Sequence, residues 1–187
     1  MRIESTRLPE VLLIEPVAYG DARGMFFESY NQRAMEAAGI GPQFVQDNHS
    51  ASQAGVLRGL HYQLEQAQGK LVRAVVGEVY DVAVDIRRSS PRFGQWTGHR
   101  LSAERRTMMW VPPGFAHGFL VLSERAEVLY KTTDYYGPKF ERSIAWNDPQ
   151  LGIEWPLGDV HPSATARPVL SARDQAGQPL GEAETYP

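Results

Sequence analysis

The sequence predicts an all-β fold of the sandwich or barrel type, and three observations carry that prediction. Strand-like apolar runs outnumber helical ones throughout the 187 residues. Only one short stretch, 31–38, has good helical character, and Gly39 stands after it as a C-terminal stop. The 17 glycines and 13 prolines are scattered rather than clustered, as in a chain of many short elements separated by turns. No repeat, low-complexity tract or charge block marks a linker, so 1–187 reads as one domain. Beyond Leu170 the chain turns polar, and its last stretch, about 175–187, either folds back onto the body or frays.

In chain order, strand-like runs fall at 11–17, 25–30, 71–76, 78–86, 107–111, 118–122 and 128–136. The clearest is 78–86, where Tyr80, Val82, Val84 and Ile86 alternate with Val79, Asp81, Ala83 and Asp85. One face is wholly apolar and the other carries two carboxylates among small residues. A sandwich or barrel buries such faces and protects the strand edges.

Composition removes several function classes. Lys and Arg total 19 against 22 Asp and Glu, and a net charge of -3 gives no electrostatic footprint for nucleic acid or an anionic membrane. No apolar run approaches the roughly 18–20 residues of a membrane span. The start, Met1-Arg2-Ile3-Glu4-Ser5, lacks an apolar signal core. There is no cysteine, hence no disulfide, thiolate–zinc site or cysteine nucleophile. A soluble cytoplasmic protein is the default expectation.

Two histidines stand in unusual contexts. His61 lies in the strand-like run Val56-Leu57-Arg58-Gly59-Leu60-His61-Tyr62-Gln63. A regular strand sends Arg58 and His61 to opposite faces, whereas a bulge at Gly59 lets both point inward. A hydrogen-bonded core or edge histidine beside an exposed arginine carries about equal weight. His117 follows the stiff turn Val111-Pro112-Pro113-Gly114, which delivers it into an apolar strand. Buried there, it needs a hydrogen-bond partner, and a turn-locking bond explains it as well as a ligand does. Histidines occur only at 49, 61, 99, 117 and 161, so no His-x-His pair exists and a metal site has no supporting spacing. Lys70 opens the apolar run 70–76; facing inward it would offer a cation to an anionic ligand, though a solvated strand end is the commoner role. Tyr130 sits mid-strand, where a core aromatic is the plainer reading. No nucleophile elbow and no Gly-rich phosphate loop accompany these residues. His, Asp, Lys, Arg and Tyr without metal or cofactor suit proton abstraction beside a carbonyl.

A longer set of motifs then carries a resemblance. It runs through Gly20-Asp21-Ala22-Arg23-Gly24 with Phe26-Phe27-Glu28-Ser29-Tyr30, Val45-Gln46-Asp47-Asn48-His49-Ser50 and Leu57-Arg58-Gly59-Leu60-His61. It continues with Gln68-Gly69-Lys70-Leu71-Val72-Arg73, the 77–87 segment, Pro113-Gly114-Phe115-Ala116-His117-Gly118-Phe119, Leu129-Tyr130-Lys131, Trp146-Asn147-Asp148-Pro149 and Ser171-Ala172-Arg173-Asp174. In this order, from about residue 8 to 175, the chain resembles the dTDP-4-dehydrorhamnose 3,5-epimerase family. The resemblance implies a cupin-type β jelly roll with short peripheral helices, a homodimer, no cofactor, and a dTDP-sugar bound inside the barrel. It implies His61 as general base, Asp174 as the carboxylate that orients it, and Tyr130 as the acid on the opposite face. Arg23, Glu28, Gln46, Asn48, Arg58, Lys70, His117, Glu141 and Arg173 match positions that line the sugar-nucleotide site. Arg173 stands where the family often has lysine, and the segment 158–170 is longer than usual.

Physical chemistry agrees with those roles. In a 6-deoxy-4-ketohexose the protons on carbons 3 and 5 both lie beside the carbonyl, so removing either gives an enolate. A histidine held by aspartate keeps one tautomer and becomes a better base. Asp81, inward in the alternation above, is a second candidate partner for it, and Lys70 the cation near the enolate oxygen. Inversion needs a proton returned from the other face, the task of Tyr130. Arg23 and Arg58 suit a diphosphate, while Tyr135 and Phe26 are candidates for stacking on thymine. Three rivals remain: an epimerase acting at carbon 3 or carbon 5 only, a non-catalytic sugar-nucleotide-binding module on the same fold, and a metal-dependent cupin. The last is disfavoured by the missing His-x-His.

Overall fold

The alternation at 78–86 is realised as a strand buried on both faces: Val79, Val82, Ala83 and Val84 are fully enclosed, and so are Asp81 and Asp85. The computed structural model of the chain describes residues 1–41, 43–165 and 167–187. Its first elements are β1 (Arg2–Ser5), β2 (Leu12–Glu15), the hairpin β3 (Ala18–Asp21) and β4 (Gly24–Phe27), and helix α1 (Gln32–Ala37). The body follows as β5 (Gln46–Gln53), β6 (Leu57–Gln63), β7 (Lys70–Val76), β8 (Glu78–Asp85), β9 (Trp96–Ser102) and β10 (Met108–Val111). Then come β11 (Phe115–Val121), β12 (Arg125–Thr132), β13 (Glu141–Ser143) and the short helix α2 (Ala172–Gln175).

Strand order is β1-β2-β10-β7-β12-β5 in one sheet and β13-β6-β11-β8-β9 in the other, with β3 and β4 paired only to each other. From β5 to β8, and again from β9 to β12, successive strands change sheet, so the two sheets are wound around one interior. This is a cupin-type β jelly roll with short peripheral helices, as expected. Val72, Ala74, Met109, Phe115, Val121 and Val128 fill part of the space between the sheets. The outer face of β8 lies under the C-terminal segment, where Leu180 and Ala183 pack against Val82, Val84 and Ile86. The chain end thus folds back: Tyr186 pairs with Arg87, its hydroxyl donates to the Gln63 carbonyl, and Tyr62 donates to the Glu184 carbonyl.

The expected helix forms as α1, with the Asn31 side chain accepting from Ala34 N at 3.2 Å and Gly39 at φ 72° ending it. Six residues are too few to hold a helix alone. It stays because Met35 and the following Ile40 pack with Leu71, Met108 and Trp110 on the outer face of the six-stranded sheet. Each such buried side chain contributes roughly 1.5–3 kcal/mol.

Several strand limits differ from those expected. The 11–17 run shortens to β2 before Pro16, and the 25–30 run to β4. β11 starts three residues before 118, and β12 spans 125–132, set by its pairing from Arg125 opposite Gln53 to Thr132 opposite Gln46. The apolar runs did not indicate β1, β3, β5, β9 or β13.

Candidate active site

Between the sheets lies a cleft of about 300 Å³. From the five-stranded sheet, β6 contributes Arg58 and His61, β11 contributes His117 and Phe119, and β13 contributes Glu141. From the opposite sheet come Asn48 and Ser50 of β5, Lys70 of β7 and Tyr130 of β12; Tyr136 and Arg173 close the rim. A wider concavity of about 510 Å³ lies against the β3–β4 hairpin but shares no lining residue with the cleft. It is the hollow of an unpartnered ribbon and brings no histidine, lysine or buried acid together.

Arg58 and His61 share the cleft because β6 bulges, as the glycine at 59 predicted. His61 pairs with His117 and Arg58 with Phe119, so three steps on β6 oppose two on β11. Gly59 sits at φ 117°, and a Cβ there would lie 2.5 Å from Gly118 Cα and 2.6 Å from the His117 carbonyl oxygen. Only glycine allows both that conformation and that approach.

Each cleft histidine is tied to a buried carboxylate. His61 Nε2 is 2.7 Å from Asp174 Oδ1, which also accepts from Gly59 N at 3.1 Å. The other oxygen, Oδ2, accepts from the Ser171 hydroxyl at 2.6 Å within the capping box of α2. Burial opposes ionisation of Asp174, but the bonds from His61, Ser171 and Gly59 outweigh it and hold the carboxyl down at about 2. An ionised carboxylate only accepts, so the His61 proton sits on Nε2 and the lone pair of the neutral ring is on Nδ1. His117 Nε2 lies 2.8 Å from Oδ1 of the fully enclosed Asp81.

Lys70 is buried, and its ammonium donates to the His61 carbonyl at 3.4 Å. Desolvation pulls its pKa down to about 8, against the opposing pull of Glu141 and Asp81. Burial likewise raises the Tyr130 phenol, with Arg58 opposing and Glu141 and Tyr136 adding to it. At the rim Glu141 binds the Arg173 guanidinium and accepts from the Tyr136 hydroxyl at 2.6 Å. No group of three or more His, Asp or Glu side chains among the described residues is arranged to hold a metal ion.

Asn48, Arg58, His61, Lys70, His117, Tyr130, Glu141 and Arg173 therefore meet in one cleft, with Asp174 directly behind His61. Six other candidate residues do not line this cleft. Asp81 is bonded to His117, not to His61, because β11 lies between β8 and β6. Gln46 is not among the lining residues but is bonded to two of them, donating to Asn48 Oδ1 at 2.9 Å and accepting from Tyr136 N at 3.1 Å. Arg23, on the β3–β4 turn, is paired with Asp21, and Glu28 accepts from Asn31 at 3.1 Å; neither lines the cleft of its own chain. Tyr135 and Phe26 are exposed, at 60% and 72%, away from the cleft walls, while the neighbouring Tyr136 lines them. Sequence reasoning missed Ser50, Phe119 and Tyr136. Ser50 and Phe119 lie two residues from Asn48 and His117, so strand alternation could have found them.

Comparison with known proteins bears on this arrangement. The family model of dTDP-4-dehydrorhamnose 3,5-epimerase matches residues 5–182. The curated dTDP-4-dehydrorhamnose 3,5-epimerase of Pseudomonas aeruginosa is 61% identical over 188 residues, covering 99% of this chain and 100% of the relative. Among solved structures, the dTDP-6-deoxy-D-glucose-3,5-epimerase of Legionella pneumophila, in complex with dTDP-4-keto-L-rhamnose, superposes with a TM-score of 0.91. It is 52% identical, covering 98% of this chain and 94% of the other. ChmJ, a 3'-monoepimerase from Streptomyces bikiniensis in complex with dTDP-quinovose, has a TM-score of 0.85 at 34% identity, covering 95% and 87%.

Proposed function

The chain belongs to the dTDP-4-dehydrorhamnose 3,5-epimerase family, and on that premise we propose how its own residues carry out the reaction. The enzyme is an isomerase that inverts carbons 3 and 5 of dTDP-4-dehydro-6-deoxy-D-glucose, giving dTDP-4-dehydro-L-rhamnose. The observation that carries the assignment of roles is a base and an acid reaching one cleft from opposite sheets, His61 backed by Asp174 and Tyr130 across from it.

His61 takes the proton from carbon 3 or carbon 5 on its Nδ1, and Asp174 stabilises the resulting imidazolium. Negative charge moves to the carbon-4 oxygen, where the Lys70 ammonium meets it; with a pKa of about 8, most of Lys70 is charged at neutral pH. Tyr130 returns a proton from the other face, and its raised pKa keeps it protonated and ready to donate. Two inversions use the same pair, since both carbons flank one carbonyl: between them His61 passes its proton to solvent and the Tyr130 phenolate takes one up. Arg58 and Arg173 suit the diphosphate, for which a planar fork is better than an ammonium. Asn48, Glu141 and His117 position the sugar and nucleotide, with Gln46 holding Asn48 and Tyr136.

The enzyme acts as a homodimer on this reading. Among the described residues the β3–β4 hairpin has no third strand, and it exposes Tyr19, Met25 and Phe26, at 67%, 54% and 72%. A second copy covering that ribbon would remove the apolar surface from water and bring Arg23 and Glu28 of one protomer to its partner's cleft. A charged nucleotide sugar does not cross a bilayer unaided, so the working compartment is the cytoplasm, where such substrates are made.

Incubation with dTDP-4-keto-6-deoxy-D-glucose in heavy water tests the reaction. Deuterium at both carbons, with the product trapped by a reductase, is the expected result. Deuterium at one carbon moves the chain to single-site epimerases, and none, with nucleotide still bound, makes it a binding module.

A further inference from the structure

The His117–Asp81 pair does not end at Asp81. Oδ1 of that carboxylate is bonded to His117, but Oδ2 is buried without a partner among the described residues, although Asp81 is fully enclosed. A carboxylate oxygen left in that state calls for an explanation. On the other side of β8 runs the edge strand β9, and its residue directly opposite Asp81 is His99. Thr97, His99 and Leu101 share a face of β9, and Leu101 belongs to the interior cluster, so His99 stands on the same side of the sheet as Asp81. A polar row thus crosses three strands from the cleft to the sheet edge: His117 on β11, Asp81 on β8, His99 on β9.

His99 is now occupied elsewhere, with Nε2 2.9 Å from the Thr97 hydroxyl. Burial lowers its pKa, the Asp81 carboxylate opposes that shift, and Arg7 of the N-terminal segment reinforces it. Lys70, from β7 in the facing sheet, acts on the same carboxylate. The ring is therefore neutral at ordinary pH and needs a fall below the usual histidine range to take a proton.

We propose that His99 is a positioning residue for the cleft: on taking a proton it engages the free oxygen of Asp81 and weakens the hold of that carboxylate on His117. The placement of the His117 ring then depends on a residue that does not line the cleft. A cation at His99 competes for the same carboxylate and loosens its bond to the His117 ring. The proposal rests on the epimerase reading only for its consequence in catalysis, since the coupling exists in the ligand-free protein.

The test is an NMR pH titration of the histidine rings in the ligand-free chain, read on His117. In the parent protein the His117 ring signals show an inflection below the ordinary histidine value, coincident with the titration of His99. In His99→Val that inflection disappears. A His117 curve unchanged by the substitution overturns the proposal. Should His99→Val fail to fold, the same experiment on Asp81→Asn reads His99 instead. Its midpoint moves to lower pH once the carboxylate is neutral, and an unmoved midpoint again overturns it. Neither titration needs turnover, so this result and that of the heavy-water assay fail independently.

Discussion

His61 and His117 face one another across the β6–β11 pairing, and each is bonded through Nε2 to its own carboxylate, at 2.7 Å from Asp174 and 2.8 Å from Asp81. The two pairs are alike in distance and unlike in what surrounds the acid. Asp174 has bonds on both oxygens and is backed by a helix cap, whereas Asp81 keeps one oxygen unpartnered. His61 is the more accessible ring, its side chain 26% exposed against 7% for His117. The histidine with the fully satisfied partner and the open ring is the one assigned as base.

Replacing His61 by alanine removes the base but no nucleotide contact. Turnover should fall by roughly 10²–10⁴ or more, while dTDP binding measured by calorimetry stays near the parent value. Normal turnover in that variant would exclude His61 as the base.

Asp174→Asn keeps the volume and loses the charge. An amide no longer fixes the His61 proton on Nε2, so kcat should drop by about 10³–10⁴. The same substitution has a stability signature. The folded-state pKa of about 2 lies below the ordinary 3.8, so the stabilisation is complete above about pH 4 and is lost as pH falls toward 2. Asp174 therefore adds about 2 kcal/mol at neutral pH. Melting temperatures of parent and variant should converge across that acid window.

Lys70 sets the alkaline side. Its ammonium is lost as pH rises through about 8, so kcat/KM of the parent should bend downward there. Lys70→Met should be slower by about 10²–10³ and show no bend near pH 8. Stability runs the opposite way: the unfolded lysine keeps its proton to about 10.5, so the fold gains as pH climbs from about 8 toward that value. A parent rate profile flat through pH 9 would remove Lys70 from the enolate.

Tyr130→Phe separates exchange from inversion. The base side stays intact, so deuterium wash-in at carbons 3 and 5 should persist while formation of inverted product falls by roughly 10² or more. Equal loss of both would make Tyr130 a wall of the cleft rather than its acid.

Phe26→Asp places a charge on the exposed face of the β3–β4 hairpin. Light scattering should find self-association weakened by roughly tenfold or more, with activity recovering at high protein concentration. Unchanged association would take the hairpin out of the dimer contact.

The sequence made some parts of this molecule legible and hid others for definite reasons. β8 was plain because both its faces are enclosed and its alternation is strict. β5 escaped notice because its inward residues Asn48, Ser50 and Ser52 are polar: the first two line the cleft, so the apolar alternation that marks a strand is missing where the strand does its work. The glycine at 59 announced a bulge, and the bulge does bring Arg58 and His61 to one side. Alternation also put Asp81 inward, but it names a face rather than a neighbour, and only the strand order reveals that His117 intervenes. Arg23 and Glu28 do not line the cleft of their own chain, and nothing in their motif foretells that.

The capping box of α2 ties the start of the last helix to the tuning of the base, since the carboxylate that accepts from Ser171 also accepts from His61. Every strand of the jelly roll emerges from the ribosome before that residue does. A chain without the segment beyond Leu170 would have all these strands but would lack both Asp174 behind His61 and Arg173 at the cleft rim. On the proposed mechanism, a product clipped before α2 would keep the strands of the barrel and lose the carboxylate that tunes its base.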